Sequence, residues 1–230
     1  MTQLELFTAV LNLQPSWFAK EASFAQDGKP ALPELRIAID FEKGSAFECP
    51  EEGRGEECKV HDTQERTWRH LNFFRYRTFI DAKAPGVKCE RRGVKTANVP
   101  WASPISGFTL LFEAFALESS KSMPVSEAAR IMNESDTKLW RMIRRYAEAA
   151  RNGKDESGVK HMGTDETSVR GRNCIAVLTD ARKKEAICIA KGEDSAAASG
   201  LASDFSAHEG RRDGTSLATC VMSSGFGKRH

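Results

Sequence analysis

The spacing of apolar residues changes character twice along this chain, which excludes an all-α or an all-β architecture. From Leu35 to Phe41 the period is two: Leu35, Ile37, Ile39 and Phe41 share one face while Arg36 and Asp40 lie on the other, as a half-buried strand requires. Beyond Pro100-Trp101 and the breakers Pro104 and Gly107, Phe108, Phe112 and Phe115 recur at helical spacing, and that period holds to Gly153. Asn152 to Gly158 is a polar linker. After it, short extended segments return at Ile175 to Thr179 and Ala186 to Ala190, followed by a helix expected over Asp194 to His208 and a strand over Ser216 to Met222. The fold class expected is therefore α+β in several domains. Residues 1–34 read as an irregular lead-in, because Gln26-Asp27-Gly28-Lys29-Pro30 and Pro33 interrupt any long element. Residues 35–99 read as a small β-rich module in which Tyr76 to Ile80 is a second strand, 100–153 as all-helical, and 159–230 as a strand meander with one helix.

Composition narrows the function classes. With 40% hydrophobic and 29% charged residues the 230-residue chain can bury a core. It holds no apolar run near the roughly 18 residues a bilayer demands. Its start, Met1 to Leu6, lacks the basic and apolar stretches of a signal peptide. A cytosolic protein with no membrane partner is expected. The net charge of +2 is too small to argue for nucleic acid, so any basic surface must arise from local clustering. Six cysteines in a reducing compartment point to metal ligands or buried thiols, not disulfides.

Local clustering occurs between Lys121 and Gly153, where seven Lys/Arg stand against four Asp/Glu. Met123 to Met132 opens with a helix-start signal and runs about two turns before Asn133, a residue that tolerates the left-handed backbone of a tight turn. A second helix opens at Ser135 or Asp136. On it Leu139, Ile143, Tyr146 or Ala147, and Ala150 share one face, and Lys138, Arg141 and Arg145 another. A short helix, a turn and a longer basic helix form the device that reads a major groove. An ordinary helical hairpin with a solvated basic face fits the same spacing. Double-stranded DNA is the expected partner, with Lys138, Arg141 and Arg145 as contacts.

Cys49, Cys58 and Cys89 could supply three thiolates to a tetrahedral zinc. The Cys-x8-Cys spacing is not that of a zinc knuckle, and His61 is the nearest fourth ligand.

Three stretches, in order, resemble the insertion-sequence transposases of the ISL-three group: Val60-His61-Asp62-Thr63-Gln64-Glu65-Arg66-Thr67-Trp68-Arg69-His70-Leu71 with Tyr76-Arg77-Thr78; Pro100-Trp101-Ala102 with Phe108 to Glu113; and Gly163-Thr164-Asp165-Glu166-Thr167-Ser168. The resemblance implies a zinc-ribbon-like module, a helix-turn-helix and a DDE catalytic domain of ribonuclease-H-like α/β fold. In that family the zinc module opens with Cys-x2-Cys and closes with Cys-x2-His or Cys-x2-Cys before a Gly. The matching positions here are Cys49 with Glu52, and Cys89 with Arg92 before Gly93. A guanidinium cannot ligate a cation. The resemblance also makes Asp165 the first of three carboxylates that would hold two Mg²⁺ ions for strand transfer. The second belongs in an Asp-Met-Ser run, where this chain has Val221-Met222-Ser223. The third lies far downstream in the family, whereas this chain ends at His230 in a basic tail. The expectation is a truncated, catalytically incomplete, transposase-like protein that recognises terminal inverted repeats, alone or beside a full-length transposase or a second copy of itself. The alternatives are an active DDE transposase whose missing carboxylates come from another chain or a frameshift, and a helix-turn-helix transcriptional repressor.

Overall fold

The computed structural model describes residues 2–25, 32–50, 57–89, 93–169, 173–211 and 216–220. Its contacts divide the chain into two units, Met1–Arg145 and Tyr146–His230, with the boundary inside a helix. The elements of the first unit are helix α1 (Gln3–Val10), strands β1 (Trp17–Ala25), β2 (Glu34–Phe41), β3 (Ala46–Glu48), β4 (Glu57–Phe73), β5 (Tyr76–Cys89) and β6 (Gly93–Thr96), and helices α2 (Leu110–Ser122) and α3 (Val125–Met132). Helix α4 (Asp136–Asn152) crosses the boundary. The second unit adds β7 (His161–Val169), β8 (Asn173–Asp180), β9 (Glu185–Lys191), helix α5 (Ser195–Ala207) and β10 (Leu217–Cys220). No helix among the described residues is long and apolar enough to cross a membrane.

In the first unit the strands run in the order β1-β2-β5-β4-β3, with β6 on the other part of β5. The pairing of β2 with β5 is parallel and the rest antiparallel. Leu35, Ile37 and Ile39 are buried as the alternation predicts, against Ile80, Ala82 and Ala84 of β5 and Trp68 of β4. Trp101 meets Trp17 and Trp68 edge to face, with ring centroids 4.9 and 5.7 Å apart. Buried aliphatic and aromatic side chains of this size each contribute roughly 1.5–3 kcal/mol, so this cluster is the main stabilising element of the sheet.

One expectation needs correction, and one strand was not foreseen. The lead-in expected to be irregular carries α1 and β1. Thr2 accepts from the Glu5 N–H while Glu5 accepts from the Thr2 N–H, a capping box that lets an eight-residue helix form, and Phe7 and Trp17 anchor both elements in the core. The segment between Phe41 and Tyr76, in which no strand was expected, contains the 17-residue β4. Its side chains from Lys59 to Thr67 are largely exposed, so the apolar alternation that betrays a strand is missing. The long antiparallel ladder to β5, from Val60↔Val87 to Phe73↔Tyr76, forms it instead.

The second unit is one four-stranded sheet, β10-β7-β8-β9. The β7-β8-β9 meander is antiparallel and β10 joins β7 in parallel. Helix α5 begins where Asp194 accepts from the Ala196 and Ala197 N–H groups at 3.1 and 3.0 Å. Its Ala197, Leu201 and Phe205 pack with Ala176, Leu178 and Ile187 of the sheet. The expected helix and the two middle strands lie where the sequence put them. Of the strand expected over Ser216 to Met222, the last two residues lie outside the described ones.

Candidate nucleic-acid interface

Helices α3 and α4 meet at Asn133, whose φ of 53° and ψ of 48° are left-handed. The Glu134 N–H returns to the Ala129 carbonyl at 2.9 Å, a closure that satisfies the last carbonyls of α3 and turns the chain sharply. Ala128, Ala129 and Met132 of α3 and Leu139 and Met142 of α4 are buried. Helix α2 starts at Thr109, which accepts from the Phe112 N–H at 3.3 Å, and it contributes buried Phe112 and Ala116.

This helical group is fastened to the sheet. The backbone of Arg69 on β4 exchanges hydrogen bonds with Gly107 and Thr109, at 2.8 and 3.0 Å. The Arg69 side chain, 3% exposed, donates through Nη2 to the Met132 carbonyl at 3.0 Å and to Asn72, and through Nη1 to the Thr78 carbonyl at 3.2 Å and to the His70 carbonyl. A cation at the end of α3 also meets the negative end of that helix's dipole. Burial, then the neighbouring charge of Arg77, lowers the Arg69 pKa to about 10, which leaves it protonated at neutral pH. His70 bonds Thr109 Oγ1 through Nδ1 at 2.8 Å. Burial first, and the Arg69 charge second, push its pKa down to about 4, so its imidazole is neutral at pH 7.

The three expected DNA contacts do not behave alike. Arg145 reaches back to Glu113 of α2, a carboxylate with no exposed surface that also accepts from Ser106 Oγ at 2.6 Å. Lys138 pairs with Glu134 at 2.9 Å. Burial works to raise the Glu134 pKa, but bonds from the Ser135 N–H and Lys138 outweigh it and hold the carboxyl below its usual range. Only Arg141 of the three is exposed without an ion pair among the described residues. The difference follows from the packing. The expected packed face ran through Leu139, Ile143, Tyr146 or Ala147, and Ala150; Leu139 is buried as expected, but its buried companion is Met142, and Ala147 and Ala150 are exposed. That rotation carries Arg145 to the edge of the core and turns Thr137, Trp140, Arg141 and Arg144 outward. Trp140 is 55% exposed. Sequence reasoning passed over Trp140 and Arg144. The signal that could have found them was the spacing 137, 140, 141 and 144, one helical face opposite Leu139 and Met142.

Cys49, Cys58 and Cys89 gather in one buried apolar cluster with Val87 and Ala97. Among the described residues, no three His, Cys, Asp or Glu side chains are placed to share a metal ion, and His61 is exposed. Glu52 and Arg92 lie outside the described residues. The described side chains by themselves thus supply no complete set of zinc ligands. Asp165, on β7 opposite Val177, is exposed and accepts from the Glu166 N–H at 2.8 Å. It too belongs to no metal-binding group among the described residues.

Residues 45–91 match the zinc-finger of transposase IS204/IS1001/IS1096/IS1165, and residues 97–147 match the helix-turn-helix domain of transposase family ISL3. The second match brackets α2, α3 and α4 up to the unit boundary, and the first brackets the cysteine cluster and the β4–β5 ladder. No match emerges among curated proteins or solved structures. Over these two successive segments the chain is thus similar to the zinc-finger and the helix-turn-helix domains of insertion-sequence transposases.

Proposed function

We propose that this protein is a transposase-like DNA-binding protein that recognises the terminal inverted repeats of an insertion sequence and does not itself cut or join strands. The observation that carries the reading is the outward face of α4. After a tight left-handed turn, a 17-residue helix exposes Thr137, Trp140, Arg141 and Arg144, the donors and apolar surface that base edges and phosphates accept in a major groove.

The second unit supports the other half of the proposal. A three-strand antiparallel meander, a helix, and a fourth strand parallel to the first is the order of a ribonuclease-H-like sheet. In that arrangement the first and fourth strands bring their carboxylates side by side. Here β7 carries Asp165, while β10 ends in the described residues at Cys220, paired with Thr164. The sequence continues Val221-Met222-Ser223, which supplies no carboxylate beside Asp165. One carboxylate does not hold two Mg²⁺ ions.

The experiment is a titration of the protein with duplex bearing an element's terminal repeat and with random duplex, across a salt series. Preferential binding that weakens steeply with salt is expected. Equal affinity for both duplexes would sink the recognition half. Mg²⁺- or Mn²⁺-dependent cleavage lost in Asp165→Ala would sink the other.

A further inference from the structure

A cleft of about 630 Å³ lies in the first unit between the β4–β5 ladder and α4, lined by residues of both matched segments. Its wall carries Arg69, Arg77, Lys138, Arg141 and Arg145 and the single carboxylate Glu134. Glu34 pairs Arg77 at 3.8 Å, and Glu113 pairs Arg145 from outside the wall. Five cations therefore face three carboxylates, which leaves two positive charges in the cleft. On its floor the guanidinium carbons of Arg69 and Arg77 lie 5.4 and 5.3 Å from the centre of the Phe79 ring, held together although like charges repel. The Nε atoms of both arginines are buried and have no hydrogen-bond acceptor. Glu134 Oε2 stays 3.9 Å from the Arg69 Nε, beyond hydrogen-bond reach. These two Nε atoms lie beneath the cleft surface, so what an anion meets in the cleft is the net positive charge and the exposed heads of Lys138 and Arg141, and cationic groups so arranged match a tetrahedral oxyanion.

We propose that this cleft binds a phosphate group, and that in the working complex the phosphate belongs to the backbone of the duplex that α4 reads. Arg141 lines the cleft and also stands on the outward face of α4, so a strand lying along that face passes the cleft mouth. Arg77, from β5, would then make the sheet a second contact surface that fixes the angle of the helix on DNA without reading bases. The source of the phosphate rests on the helix-turn-helix reading; the site itself does not.

The test uses the full chain and two probes. Inorganic phosphate, titrated at constant ionic strength against chloride, should raise the unfolding temperature of the wild type and not of Arg77→Gln or Arg141→Gln. Arg141 is exposed, so its variant keeps the test informative where Arg77→Gln disturbs the fold. With duplex DNA, each variant should flatten the plot of log affinity against log salt by about 0.9, while Lys43→Gln, on an exposed turn and not part of the cleft wall, leaves it unchanged. Stabilisation by inorganic phosphate with unaltered salt slopes would retain the anion site and overturn the DNA backbone as its source. No stabilisation by phosphate together with unaltered slopes would overturn the proposal. A wild type that binds phosphate but no duplex would overturn the helix-turn-helix reading and leave the cleft standing.

Discussion

Two neighbouring arginines on α4 show why exposure, not residue type, assigns a role. Arg145 compensates Glu113, which has no access to water and also accepts from Ser106. Removing one member of such a pair strands a buried charge. Arg145→Ala should therefore lower stability by about 3 kcal/mol in urea denaturation. Arg144→Ala should change stability by less than about 0.5 kcal/mol and instead weaken duplex binding and its salt dependence. The reverse pattern would show that α4 buries Arg144 and turns Arg145 outward. His70 supplies a second residue-scale test. Its pKa falls from 6.5 to about 4 because burial disfavours the charged ring. Above pH 6.5 the ring is neutral in both folded and unfolded chains and has no effect. As pH falls from 6.5 towards 4, only the unfolded chain takes up the proton, so stability is lost across that window, by about 3 kcal/mol in all. Urea midpoints measured across it should decline in the wild type and decline less in His70→Gln. Equal slopes would refute the assignment. Neither Arg145 nor His70 was legible beforehand: a basic residue at helical spacing and a histidine in a polar run look the same whether or not a partner is buried beneath them.

At the scale of elements, legibility followed the strength of the local signal. The α3–α4 turn was readable because Asn133 combines a helix-stopping position with tolerance of positive φ. Asn133→Ala should cost about 1 kcal/mol and Asn133→Gly almost nothing, by urea midpoint. An equal loss in both would mean that the Asn side chain, not its backbone, stabilises the turn. Strand β2 was readable from Leu35, Ile37 and Ile39, which face one core. Helix α1 was missed although Thr2 and Glu5 stand at capping-box spacing, because an eight-residue helix presents a single buried residue, Phe7, and so no period. Strand β4 was missed for the opposite reason: its ladder partner is non-local and its own exposed side chains carry no pattern. The same cause hid the cleft. Its wall joins residues of β4 and β5 to residues of α4 more than fifty positions away, and no window of sequence contains both.

Across the whole molecule, two metal sites suggested by family resemblance meet two different local environments. The three cysteines are drawn together by burial with Val87 and Ala97, which an apolar cluster achieves without a metal, since a thiol is itself a small hydrophobe. Asp165 stands exposed on a strand whose parallel neighbour brings no second carboxylate in the described residues or in the Val221-Met222-Ser223 that follow. A ligand that binds only the folded chain raises the unfolding temperature in proportion to the logarithm of its concentration over Kd. That relation makes both conclusions measurable in one set of scans. A chelator should leave the unfolding temperature of the purified protein unchanged, and Mg²⁺ or Mn²⁺ should not raise it beyond what an equal ionic strength of Na⁺ does. A chelator-induced fall that zinc restores, abolished in Cys89→Ala, would place a metal in the cysteine cluster. A rise with Mn²⁺ that Asp165→Asn removes would place one on β7. With neither, the stability of the first unit rests on its tryptophan-centred core and on the Arg69 and Glu113 ties. The Arg69 tie joins β4 and β5 to the end of α3 and the Glu113 tie joins α2 to α4, so that whatever orients the sheet also orients the outward face of α4.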